Sequence, residues 1–250
     1  MSPLTFDWMM AGACLWHVCG LVLDGWAHTH LDLGAEGFFT PYHAVFYSGY
    51  VAIAAVIVVG VRRNRAAGLH GAQALPSGYG PAVAGLAMVV IGGLADMAWH
   101  LVFGVERTLA ALLSPTHLFL AVAGSLIFLG PARAAALRDA RTFSDQLPAV
   151  LSLAMFLTQL LFFTQWVFIQ DADAYAATAH AFPELGYGAQ HALSAVRESS
   201  GILAVVVRSA LTTGVVLYGL IRFRFASGAI AIIVALSALL ITLVRSPDLP

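Results

Sequence analysis

Seven apolar stretches, each about long enough to cross a bilayer, leave this chain little freedom in how it can fold. They run roughly over 7–28, 41–61, 81–103, 115–132, 148–170, 200–221 and 228–245, and a span needs about 20 mainly apolar residues. In hydrocarbon every backbone polar group must be satisfied within the protein, so the stretches are read as helices. Pro41, Pro81, Pro115 and Pro148 stand at or near the starts of their stretches, where a missing N–H costs least. Only 10% of the 250 residues are charged, against about a quarter in a soluble domain. The expected fold class is therefore all-α, a polytopic integral membrane bundle of about seven transmembrane helices in the lipid bilayer. The first stretch lacks a basic leading region and a small-residue cleavage site, so it is expected to be a retained span.

The first four stretches carry a repeated order of chemical groups. Asp24 is followed four residues later by His28, then by Gly34-x-Glu36, and then by Thr40-Pro41-Tyr42-His43. Asp96 is followed by His100, Gly104-x-Glu106 and Ser114-Pro115-Thr116-His117. The connecting lengths differ but the order does not, which predicts two tandem repeated helix pairs. Residues 1–146 are thus expected to form a duplicated four-helix unit. Residues 147–250 would supply three further spans with a long outer loop over 171–199, and 133–146 would be a polar, partly helical connector.

Arginine placement predicts orientation. Arg62, Arg63 and Arg65 follow the second span, Arg133, Arg138 and Arg141 the fourth, and Arg222 and Arg224 the sixth. If the spans alternate, all of these lie on one side, which the positive-inside rule makes cytoplasmic. The opposite side keeps Arg107, Arg197 and Arg245. Both motif copies then face outward from the plasma membrane, along with the loop containing His180 and His191.

Residues four apart share a helix face, so Asp24 points with His28 and Asp96 with His100. His43 and His117 fall in the first turn of the returning helices, which brings each to the depth of its Asp. Each pair then presents two His and one carboxylate, a set that suits non-haem iron and is usable by copper or zinc. The expected cofactor is a divalent transition metal in a dinuclear centre, iron or copper, with zinc as the alternative. Glu36 and Glu106 are candidate bridging or catalytic groups. Arg208, inside the sixth span, is a candidate partner for Asp24, Asp96 or an anionic substrate group, with snorkelling toward the outer face as the plainer role. The competing structural reading is that the Asp–His pairs only lock helices together.

Weaker candidates surround these. His17 lies on the stripe of Asp24, with Cys14 a turn further in, but the second copy has Val89 there; a satisfied core His is the simpler reading. Tyr47 and Tyr50 follow His43 on its face, where aromatic packing competes with a relay role. His30 and Asp32 have no counterpart in the second copy. His180 and His191 have no recognised metal spacing. Cys14 and Cys19 on one helix are not expected to pair.

These features favour a membrane metal-dependent oxidoreductase acting on a small or lipophilic substrate, fed by an electron-donor partner or working as a homo-oligomer. A zinc-dependent hydrolase, a metal carrier or sensor, and a bis-His haem protein are the alternatives. Haem leaves the repeated Asp and Glu unexplained. The chain has no Lys, which excludes a retinal Schiff base, and no basic cluster that would suit nucleic acid. Asp24, His28 and His43, or Asp96, His100 and His117, look like the copper-ligating helix pair in one subunit of the copper membrane monooxygenases. The resemblance covers those residues alone, and the duplication and Gly-x-Glu depart from it.

Overall fold

The computed structural model describes residues 2–31, 40–104, 112–165 and 187–246. Among these the regular elements are all helical: α1 (Pro3–His30), α2 (Pro41–Ala66), a short 3-10 turn (Gly71–Ala74), α3 (Gly80–Phe103), α4 (Pro115–Phe128), α5 (Gly130–Leu137), α6 (Phe143–Phe163), α7 (Tyr187–Arg222) and α8 (Ala229–Val244). Among the described residues six stretches are long and apolar enough to cross a membrane: α1, α2, α3, α4 with α5, α6, and Gly201–Arg222 of α7. The seventh expected span forms α8, which is apolar but 16 residues long, about 24 Å at helical rise.

Local sequence explains most helix starts. Ser2, Thr40, Ser114 and Thr142 each accept a hydrogen bond from the backbone N–H three residues on. After the first three of these caps a Pro opens the helix, where its fixed φ is already helical. Three expected boundaries are corrected. Thr142 caps α6 ahead of Pro148, so that proline lies inside the helix rather than at its start. The fourth apolar segment continues through α5 to Leu137, and Arg133 turns back onto the carbonyls of Gly78 and Leu126 instead of entering a connector. The stretch 187–199, expected as loop, is the first part of α7. Its apolar residues Ala189, Ala192, Leu193 and Val196 recur at helical spacing despite the polar residues between them.

Hydrogen bonds at the two ends of the bundle show that the helices alternate. At one end the Tyr79 hydroxyl donates to Asp7 at 2.6 Å, and Arg138 pairs with the same carboxylate at 2.5 Å. There too, Gln146 donates to Arg224 O and accepts from Ala226 N–H. At the other end the Trp26 indole donates to Ser246 O at 2.8 Å. α6 packs against α1, α4, α5, α7 and α8 and is the most buried of the long apolar helices. Outward-facing apolar residues such as Val90, Ile91, Leu101, Val206 and Ile221 are exposed, as expected of faces turned to lipid.

Within the pairs, small residues let backbones meet, as is usual where membrane helices pack by van der Waals contact. A Cβ on Gly20 would lie 2.7 Å from Phe46 Cα, and one on Gly49 would run into His17 Cα. In the second pair a Cβ on Gly85 would lie 2.6 Å from the Ala123 carbonyl oxygen, and one on Gly92 would meet the Leu120 side chain. His17 is buried between the rings of Phe46, Tyr50 and Phe128, with Nδ1 3.2 Å from Phe46 O. It is a packed core residue. Cys14 and Cys19 are free thiols.

Overpacking a tight interface costs about 1–3 kcal/mol. Gly20→Val and Gly49→Val are therefore expected to lower the melting temperature in detergent, whereas Gly12→Ala, with open space at its Cβ, leaves it unchanged. Equal melting of all three proteins would refute the close α1–α2 contact.

Candidate metal centre

The [Ser/Thr]-Pro-x-His element is a helix start with a side chain attached to it. Thr40 and Ser114 are N-caps that accept from the backbone N–H of His43 and His117. The same hydroxyls reach the ring Nδ1 of those residues, at 3.0 Å in the first copy and 2.8 Å in the second. The cap therefore sets both where the helix begins and how the imidazole is turned.

The opposing carboxylates come from the last two turns of α1 and α3. Asp24 lies 3.9 Å from His28 Nε2 and 3.4 Å from His43 Nδ1. Asp96 lies 3.6 Å from His100 Nε2 and 3.5 Å from His117 Nε2. In each triad one ligand atom per residue can be chosen so that all lie within 4.8 Å of one another. Ligand atoms at about 2.1 Å from a shared metal sit roughly 3.0–3.4 Å apart, so modest rotations would bring either set to bonding geometry. One further observation fits a cation: Asp24 Oδ1 is buried and has no hydrogen-bond partner. A carboxylate oxygen away from water that faces an imidazole at 3.4 Å without a hydrogen bond is costly, and a bound metal would relieve that cost. Both triads can hold a metal ion.

The two triads lie within electrostatic range of each other. His28 interacts with His100 and His117, and His43 with Asp96, His100 and His117. Tyr47 reaches across the gap. Its ring stacks against His43 with centroids 6.2 Å apart, its edge approaches Gly93 of α3, and it interacts with both Asp24 and Asp96.

The other expected candidates fall elsewhere. Glu36, Glu106, Asp32 and His180 lie outside the described residues, and His191 falls within α7. His30 is exposed, bonded to Trp26 O and stacked on the Trp26 ring. Arg208 is exposed on α7, which packs against α6 and α8. The described ion pairs of Asp24 and Asp96 are with their own histidines.

Sequence reasoning missed three contributors. Thr116 donates to Asp96 Oδ1 at 2.7 Å; its signal was a hydroxyl at the variable position of the capping element. Gly104 ends α3 with φ of 80°, and its carbonyl lies 3.3 Å from His100 Nδ1. Asp7, at the far end of α1, is buried with Tyr79 and Arg138, and nothing in its local sequence marks it. Comparison with family models, curated proteins and solved structures finds no match.

Proposed function

We propose that this protein is an integral membrane oxidoreductase whose dinuclear iron or copper centre is built from both triads at the outer membrane face. The observation that carries the reading is the pair of two-His, one-carboxylate sets within electrostatic range of each other. Three protein ligands per metal leave coordination positions open, as in catalytic sites, whereas structural zinc is closed by four. A redox metal held there would supply electron transfer to or from a substrate or oxygen.

The chain's own residues prepare that chemistry. Asp24 and Asp96 supply negative charge in a poorly hydrated place. Thr40 and Ser114 turn the imidazoles, and Gly104 offers a carbonyl to His100. We assign Glu36 and Glu106, which lie in chain between the ligands of each copy, to bridging or proton transfer. Tyr47 excludes water between the two sets by filling the gap from α2 to α3. Arg208 is assigned to substrate and not to metal. The exposed apolar helix faces suit a small or lipophilic substrate that arrives through the lipid.

Metal analysis of the purified protein, paired with its visible spectrum, tests the reading. Iron or copper near two equivalents is expected. His28→Ala, His43→Ala, His100→Ala and His117→Ala should each lower the content, while Arg208→Gln should not. Full metal retention in all four histidine variants would make the repeat structural. A Soret band would replace the reading with haem, and stoichiometric colourless zinc with hydrolysis by metal-bound hydroxide.

The orientation rests on the arginines gathered at the Asp7 end. In a background lacking Cys14 and Cys19, an impermeant thiol reagent added outside intact cells should label Ala35→Cys and spare Asn64→Cys. The reverse pattern would turn the centre toward the cytoplasm.

A further inference from the structure

The two triads match in sequence but differ in what holds their ligands. In the second triad every ligand has a partner for the atom it does not offer to a metal. His100 Nδ1 is 3.3 Å from Gly104 O, and His117 Nδ1 is 2.8 Å from Ser114 Oγ. The Thr116 hydroxyl donates to Asp96 Oδ1 at 2.7 Å, and Ser114 Oγ lies 3.1 Å from Thr116 Oγ1. One proton assignment satisfies this whole network. Nδ1–H of His100 donates to the Gly104 carbonyl. Ser114 Oγ accepts from the backbone N–H and Nδ1–H of His117 and donates to Thr116, which donates to Asp96. Both Nε2 lone pairs then face Asp96 Oδ atoms across 3.5–3.6 Å, ready for a cation.

Among the described residues the first triad is held differently. Tyr42 stands where the second copy has Thr116, and Asp24 Oδ1 has no hydrogen-bond partner. The His43 nitrogen bonded to the Thr40 cap is also the one nearest Asp24. His28 is 37% exposed, against 10% for His100, and Asp24 13%, against 3% for Asp96.

We infer that the second triad, preorganised by Thr116, is the high-affinity resident metal position, and that the first triad is the weaker, exchangeable position open to incoming ligands. This rests on the metal-binding reading above. Oriented ligands lose less freedom on binding, and groups that hydrogen-bond to metal ligands contribute about 10–100-fold in affinity. Thr116 acts through Asp96 and is a positioning residue. A small external ligand would meet the metal at the His28 side, where the ligand set is most exposed.

The test is titration of Co2+ into the chelator-stripped full-length protein in detergent, followed by its visible d–d bands. Two resolved steps are expected. Thr116→Val should weaken the tight step about 10–100-fold and change its band positions, and Thr116→Ser, which keeps the hydroxyl, should restore both. His28→Ala should abolish the weak step and leave the tight one. Tyr42→Thr, which supplies the missing donor to Asp24, should tighten the weak step. Azide should perturb the bands of the second equivalent more than those of the first. Two equal steps, or a tight step lost with His28→Ala and insensitive to Thr116→Val, would overturn the ordering while leaving metal binding intact. No cobalt bands at all would overturn the metal-binding reading and this inference with it.

Discussion

The candidate centre depends on two close helix contacts that contain no ligand. Gly20 of α1 meets the backbone of α2 at Phe46, and Gly92 of α3 meets Leu120 of α4. In each pair the carboxylate lies four residues after the glycine, and the histidine of the returning helix lies three residues before its partner: Asp24 with His43, Asp96 with His117. One helical turn in each direction carries the side chains from the contact to a common depth. Gly20 against the Phe46 backbone, and Gly92 over the Leu120 side chain, thus lie one turn from ligands on separate helices. Without a hydrophobic drive between helices in lipid, such van der Waals contact is the main force able to fix register.

Poor hydration shapes how the three buried or half-buried aspartates are compensated. Asp7 is held by an arginine and a tyrosine, a combination that neutralises charge and fills the site with protein. Asp96 has two imidazoles and a threonine hydroxyl. Asp24 has two imidazoles and an oxygen with no hydrogen bond. Asp7 also keeps one buried oxygen without a hydrogen bond, met by the Arg138 guanidinium, so it is the kind of partner that separates the three sites. The three acids are told apart here by what surrounds them and not by residue type.

Much of this was legible in sequence because two strong signals coincide. Long apolar runs bound the helices, and Pro after a hydroxyl residue marks their starts, so the depth of His43 and His117 followed from capping alone. The Asp-x3-His spacing then placed the remaining ligands on one face. What could not be read depended on partners distant in the chain. Asp7 is an unremarkable acid near a helix start until Tyr79 and Arg138 are brought to it. The role of Thr116 needs the facing Asp96, which lies on another helix. The start of α7 was hidden because polar residues masked a helical period, and α5 because Arg133 resembled a span's polar flank while its guanidinium was turning back onto carbonyls.

The bond from Trp26 to Ser246 joins residues 220 positions apart. During synthesis the ribosome delivers α1 well before α8. Both glycine contacts, and so both triads, can form while the Trp26 end of α1 still has an open flank. Ser246 then closes that flank, and Arg245 beside it reaches Gln165 O. The residues of both triads thus leave the ribosome before the segment that packs over the Trp26 end of α1.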